Sequence, residues 1–467
     1  MVVFIVMFYM VLMLLVGWWC SKHYIKNMTD FLLAGRRLGP VLLGAALMAT
    51  HFGGGAVMGG GEYGFKYGLS GAWYGISCGI GLIFLSLVTS GKFRALSLYT
   101  VPDYLEKRYG GKTIRVLGCL LSLVALVGIL AAQVIAAKGV LSILGITGNT
   151  GAIIAAIVFI LYTVAGGLWA TTMTDFAQIV IAGIGVVVAS IIVIVNTGGG
   201  AGLINIIAEK GVTSGYFNLG GMGLESIVWL LLPTVMYTLI GQDFYQRVFA
   251  AKDAPTAKKA SLIGGLILII LSLFPAIMGM GARGLSDLTE PGKAVPWILT
   301  NLMHPVVGGI ILAAIIAAIM STADSLLTAA TSHFVKDLWI ETFHQANLEE
   351  KGLLKFTRVS TILIGLIALL ISLSVPSIIA ALIYSYTMYT AGIFIPVIGG
   401  VLWKAATKEG AIVSAIVGSI IALVGILTKI DILGVPDEIF SALLSLIVFV
   451  LVSVVTGSKQ IDNTAKI

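Results

Sequence analysis

Apolar residues in this chain come in long unbroken blocks separated by short polar links, rather than in the stripes of a surface helix. A helix needs about 20 apolar residues to cross the hydrocarbon core of a bilayer. Thirteen runs meet that demand: 2–20, 40–62, 70–91, 114–143, 149–166, 168–196, 223–246, 258–283, 304–335, 356–375, 377–402, 410–428 and 437–457. The pattern therefore predicts an all-α polytopic membrane protein with about 13 transmembrane helices in a single transmembrane domain, 1–467. The fifth and sixth runs are barely separated, and only Ala165-Gly166-Gly167 is suited to turn the chain between them. The longest outer connection, 196–223, contains "NTGGGAGLINIIAEKG" and predicts a short interfacial helix; 345–354 reads as an ordinary polar link.

Composition agrees: 58% of the residues are hydrophobic and 10% charged, against about 25% charged in soluble domains. The net charge of +7 would point to nucleic acid in a soluble protein, but here the placement of Lys and Arg sets orientation. With the N-terminus outside, twenty-two of the 28 Lys and Arg fall on the cytoplasmic side, including Lys107, Arg108, Lys112, Arg115 and Arg247. The six others, Lys66, Lys138, Lys210, Arg283, Lys293 and Lys429, fall outside. The C-terminus is then cytoplasmic. The first run lacks a basic N-terminal region and a small-residue cleavage site, so it reads as a retained span. Cys20, Cys78 and Cys119 are far apart in apolar sequence, as expected of small buried hydrophobes without metal-ligand spacing.

Polar residues inside such blocks are expensive and mark function. Asp175 lies in "GGLWATTMTDFAQ" and Asp324 in "AAIMSTADSLLTAATS"; Asp243, four residues before Arg247, reads as half of an interfacial ion pair. Ser321, Ser325, Thr328 and Ser332 form one continuous helical stripe, with Thr322 and Asp324 beside it. Hydroxyls can merely bond back to their own helix or glue helices together. A carboxylate within the stripe points further, to a cation or proton pathway. Free carbonyls, which also bind cations, require a broken helix, and "THFGGGAVMGGGEYG" at 50–64 supplies seven glycines at membrane depth. The same glycines satisfy G-x-x-x-G at 55–59 and 60–64, a signal of close helix packing. Residues 59–64, "GGGEYG", formally match G-x-G-x-x-G, but no strand precedes them, so a dinucleotide site is not expected. No Walker A, H-E-x-x-H or G-x-S-x-G motif occurs, and the five histidines are scattered; His51 alone adjoins the glycine run.

Several stretches together resemble the sodium/solute symporter family, which includes sodium-coupled transporters of sugars, proline, pantothenate, sialic acid and iodide. They are "FLLAGRRLGP", "VPDYLEKRYG", "GGLWATTMTDFAQ", "GQDFYQRVFAAKDAPTAKKAS" and "AAIMSTADSLL", in family order over residues 30–460. The resemblance implies a LeuT-type fold. Two inverted five-helix repeats, 40–196 and 223–402, would follow one accessory helix, 2–20, and precede two more within 410–457. The glycine run would break the first helix of repeat one, and Pro233 and Gly241 the first helix of repeat two.

By the same resemblance, a Na⁺ site would use the carbonyls of Ala49, Phe52 and Ala318 and the hydroxyls of Ser321 and Thr322. Asp175, Asp324 and Ser325 would form a second cation or coupling site. Candidates for substrate contact or gating are His51, Gly53, Gly54, Gly55, Tyr237, Gln242, Tyr386 and Tyr389, with Tyr384 and Thr387 nearby. Where the sugar branch has Asn, Glu and Gln, this chain has His51, Gly55 and Ala56, which argues against a sugar. No dedicated Arg faces the centre, so helix N-termini would hold a solute carboxylate. The expectation is a plasma-membrane sodium symporter, not an enzyme, moving an amino acid or monocarboxylate by alternating access, with no obligatory protein partner. A proton-coupled symporter using Asp175 and Asp324 is the alternative, a sodium-independent facilitator a more distant one, and a sensor lacks an output module here.

Overall fold

The computed structural model describes residues 2–143, 145–212, 214–344, 349–374, 378–428 and 434–457. Its elements are helices, and the sole β-type pairing among these residues is an isolated bridge between Leu38 and Ala251. In chain order, α1 is Val2–Tyr24, α2 Pro40–His51, α3 Gly60–Tyr67, α4 Trp73–Leu85, α5 Val101–Tyr109, α6 Lys112–Ile143 and α7 Asn149–Asn196. The interfacial helix expected in 196–223 is α8, Gly200–Glu209. Then come α9 Leu224–Thr238, α10 Gln242–Ala250, α11 Ala254–Leu271, α12 Leu273–Leu285 and α13 Pro305–Ser332. The last four are α14 Glu350–Ser374, α15 Ile378–Leu402, α16 Lys408–Thr428 and α17 Asp437–Gly457.

Among the described residues, nine helical stretches are long and apolar enough to cross a membrane, ten if the bent pair α9–α10 counts as one span. The sequence reading of thirteen exceeds this count because breaks divide or join elements in ways that apolarity alone does not register. The 12-residue α2 is too short to cross by itself. The 48-residue α7 joins what the sequence separates into two runs, and its interruption is Gly167, with φ 50° and ψ −155°. Residues 345–348 of the 345–354 link, the side chain of Tyr384, and Lys429, Lys459 and Lys466 lie outside the described residues.

Sidedness shows directly in the packing. Ile184, Val188, Ile191 and Val195 form an exposed stripe along α7 at helical spacing, suited to lipid. By contrast, every residue of α13 from Ile311 to Ser332 is buried, so α13 is the central post, packed by α1, α6 and α7. Close approach governs the other end of the glycine run: a Cβ on Gly64 would fall 2.3 Å from the carbonyl oxygen of Ala276 in α12. The glycines thus serve two purposes, a break at 53–55 and tight helix packing at 60–64.

Two substitutions test this division. Gly167→Ala would place a side chain in left-handed backbone and 2.6 Å from the Phe31 carbonyl, while Gly64→Ala would wedge α3 from α12. Each is expected to cost about 1–3 kcal/mol through strain or overpacking, read as a lower unfolding temperature of the purified protein in detergent.

Candidate functional site

Two interrupted helices meet near the middle of the bundle. The first ends at His51; Phe52 (φ −84°, ψ 50°) and Gly53 (φ −125°, ψ −129°) leave helical geometry before a π-helical turn over Gly54–Gly59. The second bends by 45° between α9 and α10. Gly241, at φ −60° and ψ 124°, makes that bend, whereas Pro233 stays inside α9. Gly53 is required by space: a Cβ there would lie 2.7 Å from both the Ala318 carbonyl oxygen and the Thr322 hydroxyl.

Against the first break stands α13. The Thr322 hydroxyl lies 3.2 Å from the carbonyl oxygen of Ala49, 3.4 Å from that of Thr50 and 3.1 Å from that of Ala318. One hydroxyl hydrogen cannot serve three acceptors at once, so this buried corner is rich in oxygen lone pairs. Phe52 is buried at the end of α2. Ser321, the neighbour of Thr322, donates instead to the Asp175 carboxylate.

Asp175 is fully buried on α7, and its other oxygen is 3.3 Å from a guanidinium nitrogen of Arg247, also fully buried. The same nitrogen donates to the Ser325 hydroxyl, and Ser325 in turn donates to the Ser321 carbonyl oxygen at 2.6 Å. Asp324 accepts from Thr163 at 2.6 Å through one oxygen, and its second oxygen is buried without a partner among the described residues. The expected interfacial pair of Asp243 with Arg247 is not formed. The Asp243 carboxylate accepts from the Tyr237 hydroxyl at 3.1 Å, and Arg247 reaches only the Asp243 backbone oxygen. All nine residues of α10 are buried, so Arg247 is an interior cation and not a charge of a cytoplasmic link. Sequence reasoning missed this interior pairing; the Asp175 partner is 72 residues away in the chain, beyond any local pattern.

A cavity of about 920 Å³ opens above the breaks. Of the substrate and gate candidates, Gly54, Gly55 and Tyr386 line it, and so does Thr387. His51, Gly53, Tyr237, Gln242 and Tyr389 are not in its lining. His51 stacks on Phe244, with ring centroids 4.5 Å apart, and its ring lies 3.3 Å from the Thr238 hydroxyl. Tyr237 packs on Tyr386 at 5.7 Å and so sits one layer below the cavity. Gln242 is consumed on both ends of its amide, donating to the Tyr99 carbonyl at 3.0 Å and accepting from the Val101 N–H at 2.9 Å. Tyr389 donates to the Ile240 carbonyl in the second break at 2.7 Å. The walls also use Tyr63, Tyr74, Trp229 and Thr234, which no motif marked; the pairs Trp229/Pro233 and Leu230/Thr234 on one helical face were the available signal.

A second polar cluster lies at the far end of α13. Arg115 pairs with Asp103, Glu106 and Asp337, and His333 lies 2.8 Å from both the Asp337 carboxylate and the Ser122 hydroxyl. Cys119 joins His333 and Asp337 with ligand-type atoms within 4.8 Å of one another, a grouping the separated sequence positions conceal. Both ring nitrogens of His333 already have protein partners and Arg115 holds the second oxygen of Asp337. The three are therefore members of a hydrogen-bonded network. The three cysteines are buried and free.

Comparison with known proteins places this geometry. The model of the sodium:solute symporter family matches residues 31–418. The chain is 29% identical over 426 residues to the high-affinity proline transporter of Bacillus subtilis strain 168, covering 87% of this chain and 88% of that one. It is 28% identical over 436 residues to the sodium/pantothenate symporter of Escherichia coli K12, with 90% and 89% covered. A Na⁺-coupled sialic acid symporter, solved in a substrate-bound outward-open state, shares the fold with a TM-score of 0.81 at 19% identity, over 97% of this chain and 98% of that one. That fold is the LeuT type which the sequence resemblance implied. The family and its relatives are transporters embedded in membranes, not enzymes, and this chain belongs to the sodium:solute symporter family.

Proposed function

We propose that this protein is a sodium-coupled symporter that carries a small organic solute into the cell by alternating access. The observation that carries the reading is the oxygen cluster where Ala49, Ala318 and Thr322 converge across the first helix break. Hard cations take several oxygen ligands, and broken helices at mid-membrane are where transporters supply them. Sodium would be held by the carbonyls of Ala49, Phe52 and Ala318 with the hydroxyls of Ser321 and Thr322. Asp175, Asp324 and Ser325 form the coupling group behind it.

The topology we propose keeps thirteen spans, with 40–196 and 223–402 as inverted repeats, 2–20 as an accessory helix and 410–457 as two more. The break in α2–α3 and the bend in α9–α10 support it, each falling in the first helix of its half. With the N-terminus outside, the cavity mouth bearing Lys138, Glu290 and Lys293 faces outward. The solute is an amino acid or a monocarboxylate of similar size, in keeping with relatives named for proline and pantothenate. Gly54, Gly55, Tyr74 and Tyr386 would contact it, while His51, Tyr237 and Phe244 close the floor beneath. One observation favours a second reading, proton coupling: the Asp324 oxygen that is buried without a partner would suit a carboxyl that carries a proton.

Sodium titrated against potassium at constant ionic strength should raise the unfolding temperature, since a ligand at a hundredfold excess over Kd adds about 2.7 kcal/mol. Ser321→Ala with Thr322→Ala is expected to remove that rise; a wild-type sodium midpoint in the double variant would place the site elsewhere. A protein indifferent to sodium whose solute binding follows pH would instead support the proton reading. Gly55→Val, whose side chain would strike the Tyr74 hydroxyl 2.7 Å from the new Cβ, should abolish solute-induced stabilisation and leave the sodium response intact.

A further inference from the structure

Arg247 is the costliest side chain in the interior. Removing a cation from water is strongly unfavourable unless its partners are well placed, and Arg247 is fully buried in a helix with no exposed residue. One guanidinium nitrogen bonds within its own helix, to the Asp243 carbonyl oxygen. Another leaves that helix and is shared between Asp175 on α7 and Ser325 on α13. Asp175, held by that nitrogen, takes the hydroxyl hydrogen of Ser321 on its other oxygen.

The chemistry of a hydroxyl gives this chain of contacts a direction. Serine has one hydrogen to donate and two lone pairs to offer. With its hydrogen fixed on Asp175, Ser321 can present only lone pairs elsewhere, which is the orientation a cation requires. Asp175 keeps its position because Arg247 holds its second oxygen. Arg247 in turn belongs to α10, the second half of a broken helix, which is tied down at two further points. Gln242 binds the backbone at Tyr99 and Val101, and Gln246 donates to the Leu32 carbonyl at 2.8 Å and to the Ser332 hydroxyl at 3.1 Å.

We infer that Arg247 is a positioning residue for the sodium site, acting through Asp175 and Ser321, and that it makes sodium affinity depend on the docking of α10. The inference rests on the sodium reading proposed above. While α10 is docked, Asp175 is held and Ser321 faces the cation with its lone pairs. When α10 swings away, Asp175 loses its counter-charge, Ser321 is freed to reorient and the cation leaves. Linkage makes the effect reciprocal: bound sodium favours the docked helix by the same factor by which docking favours sodium. The helix that seals one side of the molecule would thus be the helix that senses the ion.

The test uses the full-length protein in detergent, with unfolding temperature followed as sodium replaces potassium. Arg247→Lys keeps the charge but loses the planar fork that spans Asp175, Ser325 and the helix backbone. It is expected to raise the sodium midpoint about tenfold, with solute-induced stabilisation retained at saturating sodium. Arg247→Gln alone leaves Asp175 as a lone buried charge and can fail to fold. Asp175→Asn with Arg247→Gln removes both charges together and should show the same raised midpoint. A purely structural Arg247 would lower the unfolding temperature equally in both salts and leave the midpoint in place; that result in either variant overturns the inference alone. A wild-type protein without any sodium response overturns the sodium reading, and the inference with it.

Discussion

A backbone carbonyl released from its helix inside a membrane finds no water and must be answered by another protein group or face a cavity. Both helix breaks obey this constraint, but they are answered differently. At the second break, Tyr245 donates to the Leu239 carbonyl at 2.8 Å and Tyr389 to the Ile240 carbonyl at 2.7 Å. Each of those carbonyls has its own donor on a bulky, fully buried side chain. At the first break, among the described residues, the Thr322 hydroxyl is the side-chain donor near the carbonyls of Ala49 and Thr50, and it also reaches the Ala318 carbonyl of its own helix. The second break is therefore the better supplied with donors, while the first retains carbonyl oxygens free to serve a cation.

The interior charges follow from the same economy of water. A guanidinium and two carboxylates in the core are tolerable only when they are met by hydrogen bonds, and α13 supplies two of these through Ser321 and Ser325. Such a network is fixed in geometry, because a small displacement leaves a buried charge unpaired.

How much of this could be read beforehand depended on whether the signal was local. The interruption at Gly167, the hydroxyl stripe of α13 and the glycine break at 53–55 are patterns within a few turns, and all stand in the structure as interruptions or buried faces. The family resemblance supplied the partners for Thr322 across the bundle, which no periodicity could give. Arg247 was misplaced because a cation next to "GQDFYQ" looks like a link residue until the burial of α10 is known. Gln242 and Tyr389 were polar enough to look like solute contacts, yet the backbones at 99–101 and 240 claim them. The helix boundaries were hidden for a related reason: apolar length does not reveal whether a run is one helix, two, or half of one.

Beneath the cavity described above, the kind of contact changes from layer to layer. Tyr386 and the glycines 54 and 55 border open space, and the next layer down is mainly aromatic, with His51 tilted against Phe244 and Tyr237 edge-on to it. Below that layer the attachments become directional: Gln242 and Gln246 bind backbone carbonyls and Arg247 binds a carboxylate. Stacked rings can part and slide at little cost, whereas directional buried bonds are strong until they break together. A solute entering the cavity would therefore meet a floor that yields by rearrangement, resting on a seal that yields only as a unit. Under the alternating-access reading proposed above, the rings would adjust to the solute before the α10 ties release.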